Sequence, residues 1–236
     1  MTEFLLDPNT YLSLITLTAL EIILGIDNIL FISIVCSKLP AHQQETARKL
    51  GLSLALFGRL ALLFSLSWLL SLNKPLFQVL DHWFSGRDLV LGIGGLFLLY
   101  KATQEIFQTV EGITEDRKVK VMSFGSAIAQ ILVLDIVFSL DSVITAIGLA
   151  SQISIMAIAI FISIVIMVFA SRHVSAFLDK NPSMKVLGLS FLLLISVLLL
   201  ADSFGQHVSR TYVYFALGFS AFVELMNLRA RNKAQG

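Results

Sequence analysis

The sequence predicts an all-α polytopic integral membrane protein with seven transmembrane helices, and three observations carry that prediction. Of its 236 residues, 56% are hydrophobic, and the mean hydropathy is +0.85. Only 14% are charged, about half the share of an ordinary soluble domain, which excludes a soluble globular chain. A membrane span takes about 20 mostly apolar residues, and windows of that width fall at roughly 11–35, 50–71, 88–106, 124–149, 152–171, 184–201 and 211–228.

Each element follows in order. The N-terminus, Met-Thr-Glu-Phe-Leu-Leu-Asp-Pro, has neither the basic n-region nor the small-residue cleavage site of a secretory signal, so the first span is expected to be retained. The first three spans and the last four are divided by the longest loop, about 107–123, which mixes both signs of charge and reads as a cytoplasmic linker. The expected organisation is one membrane domain: a first repeat over 1–106, the linker 107–123, and a second repeat plus a seventh helix over 124–236. Gly92, Gly94 and Gly95 in the third span read as small residues permitting close helix packing. They do not fit G-x-G-x-x-G and follow no strand, so they are no phosphate loop.

Orientation follows from Lys and Arg, whose excess marks the cytoplasmic side. One set of alternate loops and the C-terminal end hold thirteen: Lys38, Arg48, Lys49, Lys101, Arg117, Lys118, Lys120, Arg172, Lys180, Lys185, Arg229, Arg231 and Lys233. The other set holds Lys74, Arg87 and Arg210. The N-terminus is therefore expected outside and the C-terminus in the cytoplasm. Tyr11, Trp68, Trp83, Tyr212 and Tyr214 at outer ends, and Tyr100 at an inner one, read as interfacial anchors.

Composition also excludes functions. A net charge of +1 offers no electrostatic reason to bind nucleic acid. The single Cys36 allows no intramolecular disulfide, redox pair or structural zinc site.

An internal similarity points to function. Leu20-Glu21-Ile22-Ile23-Leu24-Gly25-Ile26-Asp27-Asn28-Ile29-Leu30 in the first span matches Leu134-Asp135-Ile136-Val137-Phe138-Ser139-Leu140-Asp141-Ser142-Val143-Ile144 in the fourth, at a constant offset of 114 residues. Three spans separate the copies, so the two helices would cross in opposite directions, as in the inverted repeats of secondary transporters. Ionisable groups within a span cost several kcal/mol unless they face protein or water. Five acids qualify, namely Glu21, Asp27, Asp135, Asp141 and Glu224, against one base, Arg59. That excess of potential negative charge reads as a cation pathway.

Helical geometry arranges these residues. Glu21 and Asn28 lie about 20° apart on one face with Gly25 between them, and Asp135, Ser139 and Ser142 repeat the stripe. Asp27 and Asp141 sit about 100° round from Asn28 and Ser142, giving each helix a broad polar face unless it unwinds near Gly25 or Ser139, as broken transporter helices do. At about 1.5 Å per residue, Glu21 and Asp135 fall near the midplane and Asp27 and Asp141 roughly 6 Å to the inner and outer sides. The expected metal site comprises Glu21, Asp27, Asn28, Asp135, Asp141 and Ser142, with Glu224 at about the depth of Asp27. Arg59 would compensate a carboxylate in the empty site.

Carboxylate, amide and hydroxyl oxygens suit hard cations such as Mn²⁺, Ca²⁺ or Mg²⁺, whereas zinc and copper favour imidazole or sulfur. His42, His82, His173 and His207 lie in loops or at span ends, and Met167 and Met226 stand isolated in sequence. A hard divalent cation is the expected cargo, with no permanently bound cofactor.

The paired segments Leu20–Ile29 and Leu134–Val143 resemble the signature of the TerC family of bacterial membrane proteins, and the resemblance covers essentially the whole chain. It is closest to the short YgdQ-like branch, a bare membrane domain without the CBS and CorC-type domains or further spans of longer relatives. The resemblance implies Mn²⁺ export across the bacterial inner membrane, with links to metal tolerance, alkaline stress, metal supply to exported proteins and tellurite resistance. An oxyanion such as tellurite would be repelled by so acidic a core. The family's metal-site acids carry over onto Asp27 and Asp141 first, then onto Glu21, Asn28, Asp135 and Ser142.

Other readings stand beside this one. The acids as plain structural hydrogen-bonding groups, Arg59 as a purely structural partner and Glu224 as a helix-end acid are the bland ones. An intramembrane aspartyl protease also pairs two acids from different spans, but Gly25-Ile26-Asp27 lacks the Gly-x-Gly-Asp pattern, and five acids exceed the two needed. The expectation is therefore a transporter and not an enzyme. Its partners would be a divalent cation, protons displaced from the acids on metal binding, the lipid bilayer, and a second copy or other membrane protein. The alternative is a non-transporting scaffold or metal-delivery partner for exported proteins.

Overall fold

The computed structural model describes residues 8–79, 82–111, 122–149, 153–206 and 208–234. Most of them are helical: α1 (Pro8–Leu24), α2 (Ile26–Ser37), α3 (Ala41–Phe64), α4 (Leu66–Ser71), α5 (Gly86–Val110), α6 (Phe124–Leu149), α7 (Ile153–Lys180), α8 (Pro182–Ser203) and α9 (Arg210–Ala234). Backbone groups in hydrocarbon must be satisfied within the segment, which the α-helix does. Among the described residues, five segments are long and apolar enough to cross a membrane: Thr10–Ser37, Gly86–Val110, Ile153–Lys180, Pro182–Ser203 and Thr211–Arg231. The second and fourth expected spans fall on α3 with α4, and on α6, whose apolar stretch Phe124–Leu140 is shorter. Phe57, Phe64, Phe169, Tyr212 and Phe215 are between 67% and 76% exposed, a display of large apolar rings that suits lipid as the surrounding solvent.

Helix ends carry local signals. Ser85 and Asp88 form a capping box at the start of α5, Ser85 Oγ accepting from the Asp88 amide at 3.2 Å while the Ser85 amide donates to Asp88 Oδ2 at 2.8 Å. α8 opens on Pro182, whose missing N–H costs nothing in a first turn. It closes in a Schellman turn: Gln206 N donates to Ala201 O at 2.9 Å, Gly205 N donates to Asp202 O at 3.0 Å, and Gly205 takes φ 76°.

One element departs from the all-α expectation. β1 (Pro75–Val79) and β2 (His82–Ser85) pair antiparallel, with Phe77 opposite Phe84 and Val79 opposite His82. The Phe77 and Phe84 rings stack at 5.5 Å, and Phe84 meets Phe204 edge-on at 5.7 Å.

The chain divides into two compact units. Unit 1 comprises residues 1–74 and 120–175, hence α1 to α4, α6 and most of α7. Here α3 packs along α6, and α2 touches both. Gly51 of α3 sets that approach, since a Cβ there would stand 3.1 Å from Ile131 of α6. Leu17, Ile155 and Ala159 bring α1 and α7 together. Unit 2 comprises 75–119 and 176–236. Its centre is the α5 and α8 pair, where Gly92 approaches Ser203 and Gly95 approaches Leu200, Leu199 and the Ser196 carbonyl. These glycines are packing residues, as the sequence implies. α9 joins α8 through Phe191 and Tyr214, with ring centroids 5.8 Å apart.

Candidate functional site

The first span is interrupted at Gly25, between α1 and α2. Gly25 N donates to Ile22 O at 3.1 Å, a tight last turn, and helix bonding resumes with Ile29 N to Gly25 O at 3.1 Å. A Cβ there would lie 2.6 Å from Met167 Sδ and 3.0 Å from the Glu21 carbonyl, so any side chain would force Met167 to shift. The equivalent position in the other copy, Ser139, lies within an unbroken α6. The interruption at Gly25 is a single residue that stays in the right-handed helical region (φ −99°, ψ 0°), and Thr10–Ser37 still forms one apolar span. Met167 of α7, isolated in sequence, caps the break; nothing in its sequence neighbourhood signals this.

The break places Glu21 in the last turn of α1 and Asp27 in the first turn of α2, where the helix dipole favours a carboxylate. Asp27 Oδ1 accepts from the Asn28 amide at 2.9 Å. Arg59, near the end of α3, and Asp135, midway along α6, complete the group. Glu21, Asp27, Asn28, Arg59 and Asp135 are all buried, between 1% and 4% exposed.

Arg59 joins the acids. Its Nη1 donates to Glu21 Oε2 at 3.0 Å, and its Nη2 and Nε face Asp135 Oδ1 at 3.4 and 3.5 Å. Asn28 Nδ2 approaches the same Asp135 oxygen at 3.4 Å. Ser139, one turn along α6, lies within hydrogen-bonding reach of the Asp135 carboxyl. Gly58 keeps the wall of α3 low here, its Cβ position 3.9 Å from Asp135 Oδ2. Glu21 and Asp135 are the carboxyls in contact with the guanidinium, and Asp27 adds its electrostatic attraction to theirs.

The structure thus brings together Glu21, Asn28, Arg59 and Asp135, with Asp27 at the same helix break. Asp141 and Ser142 lie further along α6, and their side chains are outside the described residues. Glu224 belongs to unit 2, where Asn227 Nδ2 donates to its Oε2 at 3.3 Å and Ser183 is a second hydrogen-bond partner. Among the described residues, no three His, Cys, Asp or Glu side chains are grouped to hold a metal ion. Arg59 is the cation that the cluster holds.

Apolar helices that bury acids around an arginine define a multi-pass helical membrane protein. The chain matches the model of the integral membrane protein TerC family over residues 6–235, and it belongs to that family. It is 51% identical over 227 residues to the UPF0053 inner membrane protein YgdQ of Escherichia coli K12, covering 96% of this chain and 95% of that one. A UPF0053 protein of Haemophilus influenzae is 48% identical over 98% of both chains. The UPF0053 inner membrane protein YoaE of E. coli K12 is 47% identical, but this chain spans only 45% of its length. No solved structure matches the chain.

Proposed function

We propose that the protein is a secondary transporter that exports a hard divalent cation, Mn²⁺ first and Ca²⁺ second, from the cytoplasm through its buried carboxylates. Membership of an integral membrane protein family fits a membrane transporter in general. The observation that carries the finer reading is that Glu21 and Asp135, at equivalent positions of two sequence copies 114 residues apart, flank one guanidinium. Two copies meeting at a shared buried charge is the arrangement expected of an inverted-repeat carrier with its site between repeats.

In this reading seven spans cross the membrane, α3 with α4 and α6 among them, with the N-terminus outside and the C-terminus in the cytoplasm. A reporter fused to the C-terminus that folds only in the cytoplasm should be active. Glu21, Asp27, Asn28 and Asp135, with Asp141 and Ser142, supply oxygen ligands of the kind that suits Mn²⁺ better than zinc or copper. Metal binding to carboxylates releases their protons, so export coupled to proton entry is the cycle these groups favour, with alternating access carrying the ion across.

The test is cellular metal content. Overproduction in a bacterium challenged with Mn²⁺ should lower total cell Mn²⁺, and Asp27→Asn should abolish that effect. Unchanged Mn²⁺ and Ca²⁺ content, with metal-dependent capture of exported proteins, would support the scaffold reading instead.

A further inference from the structure

Arg59 is the only buried basic side chain among the described residues, and its two ends are held unequally. The contact to Glu21 Oε2 is 3.0 Å. The contacts to Asp135 Oδ1 are 3.4 and 3.5 Å, longer than the roughly 2.7–2.9 Å of a charge-assisted hydrogen bond. Asn28 Nδ2, also at 3.4 Å, shares that oxygen. The second oxygen of Glu21, Oε1, is buried and accepts no hydrogen bond among the described residues. The guanidinium is held by one short contact from α1 and two longer ones from α6.

Electrostatics makes this seat exclusive. A dication and a guanidinium a few ångströms apart repel strongly in a low-dielectric interior, so both cannot occupy the Glu21 and Asp135 pair. Leaving that pair with no cation is equally unfavourable, because buried charges need partners. Each state of the site therefore carries cationic charge: the transported ion when loaded, and Arg59 with a proton on the second acid when empty.

We propose that Arg59 is a tethered counter-cation that competes with the transported ion for Glu21 and Asp135. Loading displaces the guanidinium from the pair. Unloading lets it return, so the emptied carrier reorients with one of these two acids neutralised from within and the other by a proton. The inference rests on the transport reading and adds the residue that completes the empty half of the cycle.

Two assays on the full-length protein in proteoliposomes separate the halves of that cycle. Exchange of labelled internal Mn²⁺ for unlabelled external Mn²⁺ uses only loaded carriers, whereas net efflux into metal-free buffer also requires the empty return. In Arg59→Gln, net efflux should fall roughly tenfold or more relative to exchange, and exchange should half-saturate at lower Mn²⁺ because the internal competitor is gone. A purely structural Arg59 would lower both fluxes together and raise or leave unchanged the half-saturating Mn²⁺; either result overturns the proposal. If Arg59→Gln does not fold, Arg59→Lys gives the same reading: one ammonium cannot fork across two carboxylates, so the ratio of net efflux to exchange should still drop several-fold, and an unchanged ratio overturns the proposal. Wild-type protein that moves Mn²⁺ in neither assay removes the transport reading itself; wild-type flux with an unaltered ratio in the variants removes only this inference.

Discussion

Arg59 Nη1 lies 3.0 Å from Glu21 Oε2, and both side chains are 2% exposed. Removing one partner of a buried ion pair strands the other charge, at a cost of about 3–5 kcal/mol. Arg59→Met should therefore lower stability by about that amount, measured by thermal unfolding in detergent. Adding Glu21→Gln should recover part of the loss, because the stranded carboxylate is gone and the two sites are coupled. A loss under about 1 kcal/mol, the level of a surface ion pair, would show that Arg59 is not held as described.

Gly25 faces Met167 across the break between α1 and α2, with 2.6 Å from its Cβ position to Met167 Sδ. Gly25→Ala should cost about 1–3 kcal/mol, the usual penalty of overpacking. The thioether is the far end of a flexible side chain, so Met167→Ala should relieve much of that cost. Equal penalties in both backgrounds would mean that the Glu21 carbonyl, 3.0 Å from the same position, is the decisive contact.

Glycines elsewhere should split by surroundings. Gly95→Ala meets Leu200 and the Ser196 carbonyl at 3.1 Å and should loosen the α5 and α8 pair. Gly218, on α9, has nothing within 4 Å of its Cβ position. Gly218→Ala should stabilise the protein by about 0.5–1 kcal/mol, since alanine loses less backbone freedom in a helix. Unfolding midpoints of the two variants should move in opposite directions.

At the start of α3, Lys49 Nζ lies 2.7 Å from Glu45 Oε1, and that hydrogen bond and charge, with Arg172 adding to them, hold the Glu45 carboxyl below the usual carboxylate range. The folded value is depressed, so the pair's contribution is present above the ordinary carboxylate pKa and disappears as pH falls through the lowered value. Side-chain carbon NMR of Glu45 should show a titration midpoint that rises in Lys49→Met. Both side chains are exposed, and stability should barely change.

Much of this site is legible in the sequence because lipid makes every ionisable residue in a span conspicuous. Glu21, Asp135 and Arg59 stand out against apolar neighbours, and the 114-residue offset relates the two acids. Their convergence on one guanidinium is not legible, because it depends on α3 packing along α6. Helical periodicity gives Gly25 and Ser139 the same setting, yet only Gly25 breaks its helix; the missing Cβ and a methionine from α7 make the difference. Counting residues along a span gives Glu224 a depth but no lateral neighbours, and its partners Ser183 and Asn227 lie on α8 and α9. The β1 and β2 hairpin escapes a hydropathy window of about 20 residues, which averages over two strands of five and four residues.

Transport of a divalent cation by the buried carboxylates should need no other protein. It is tested most directly by Mn²⁺ and Ca²⁺ flux in proteoliposomes of the purified protein, with a pH-sensitive dye inside and Asp27→Asn and Asp141→Asn alongside. Mn²⁺ flux should be opposed by proton movement and abolished in both variants. Well-oriented, folded protein that moves neither ion would contradict it.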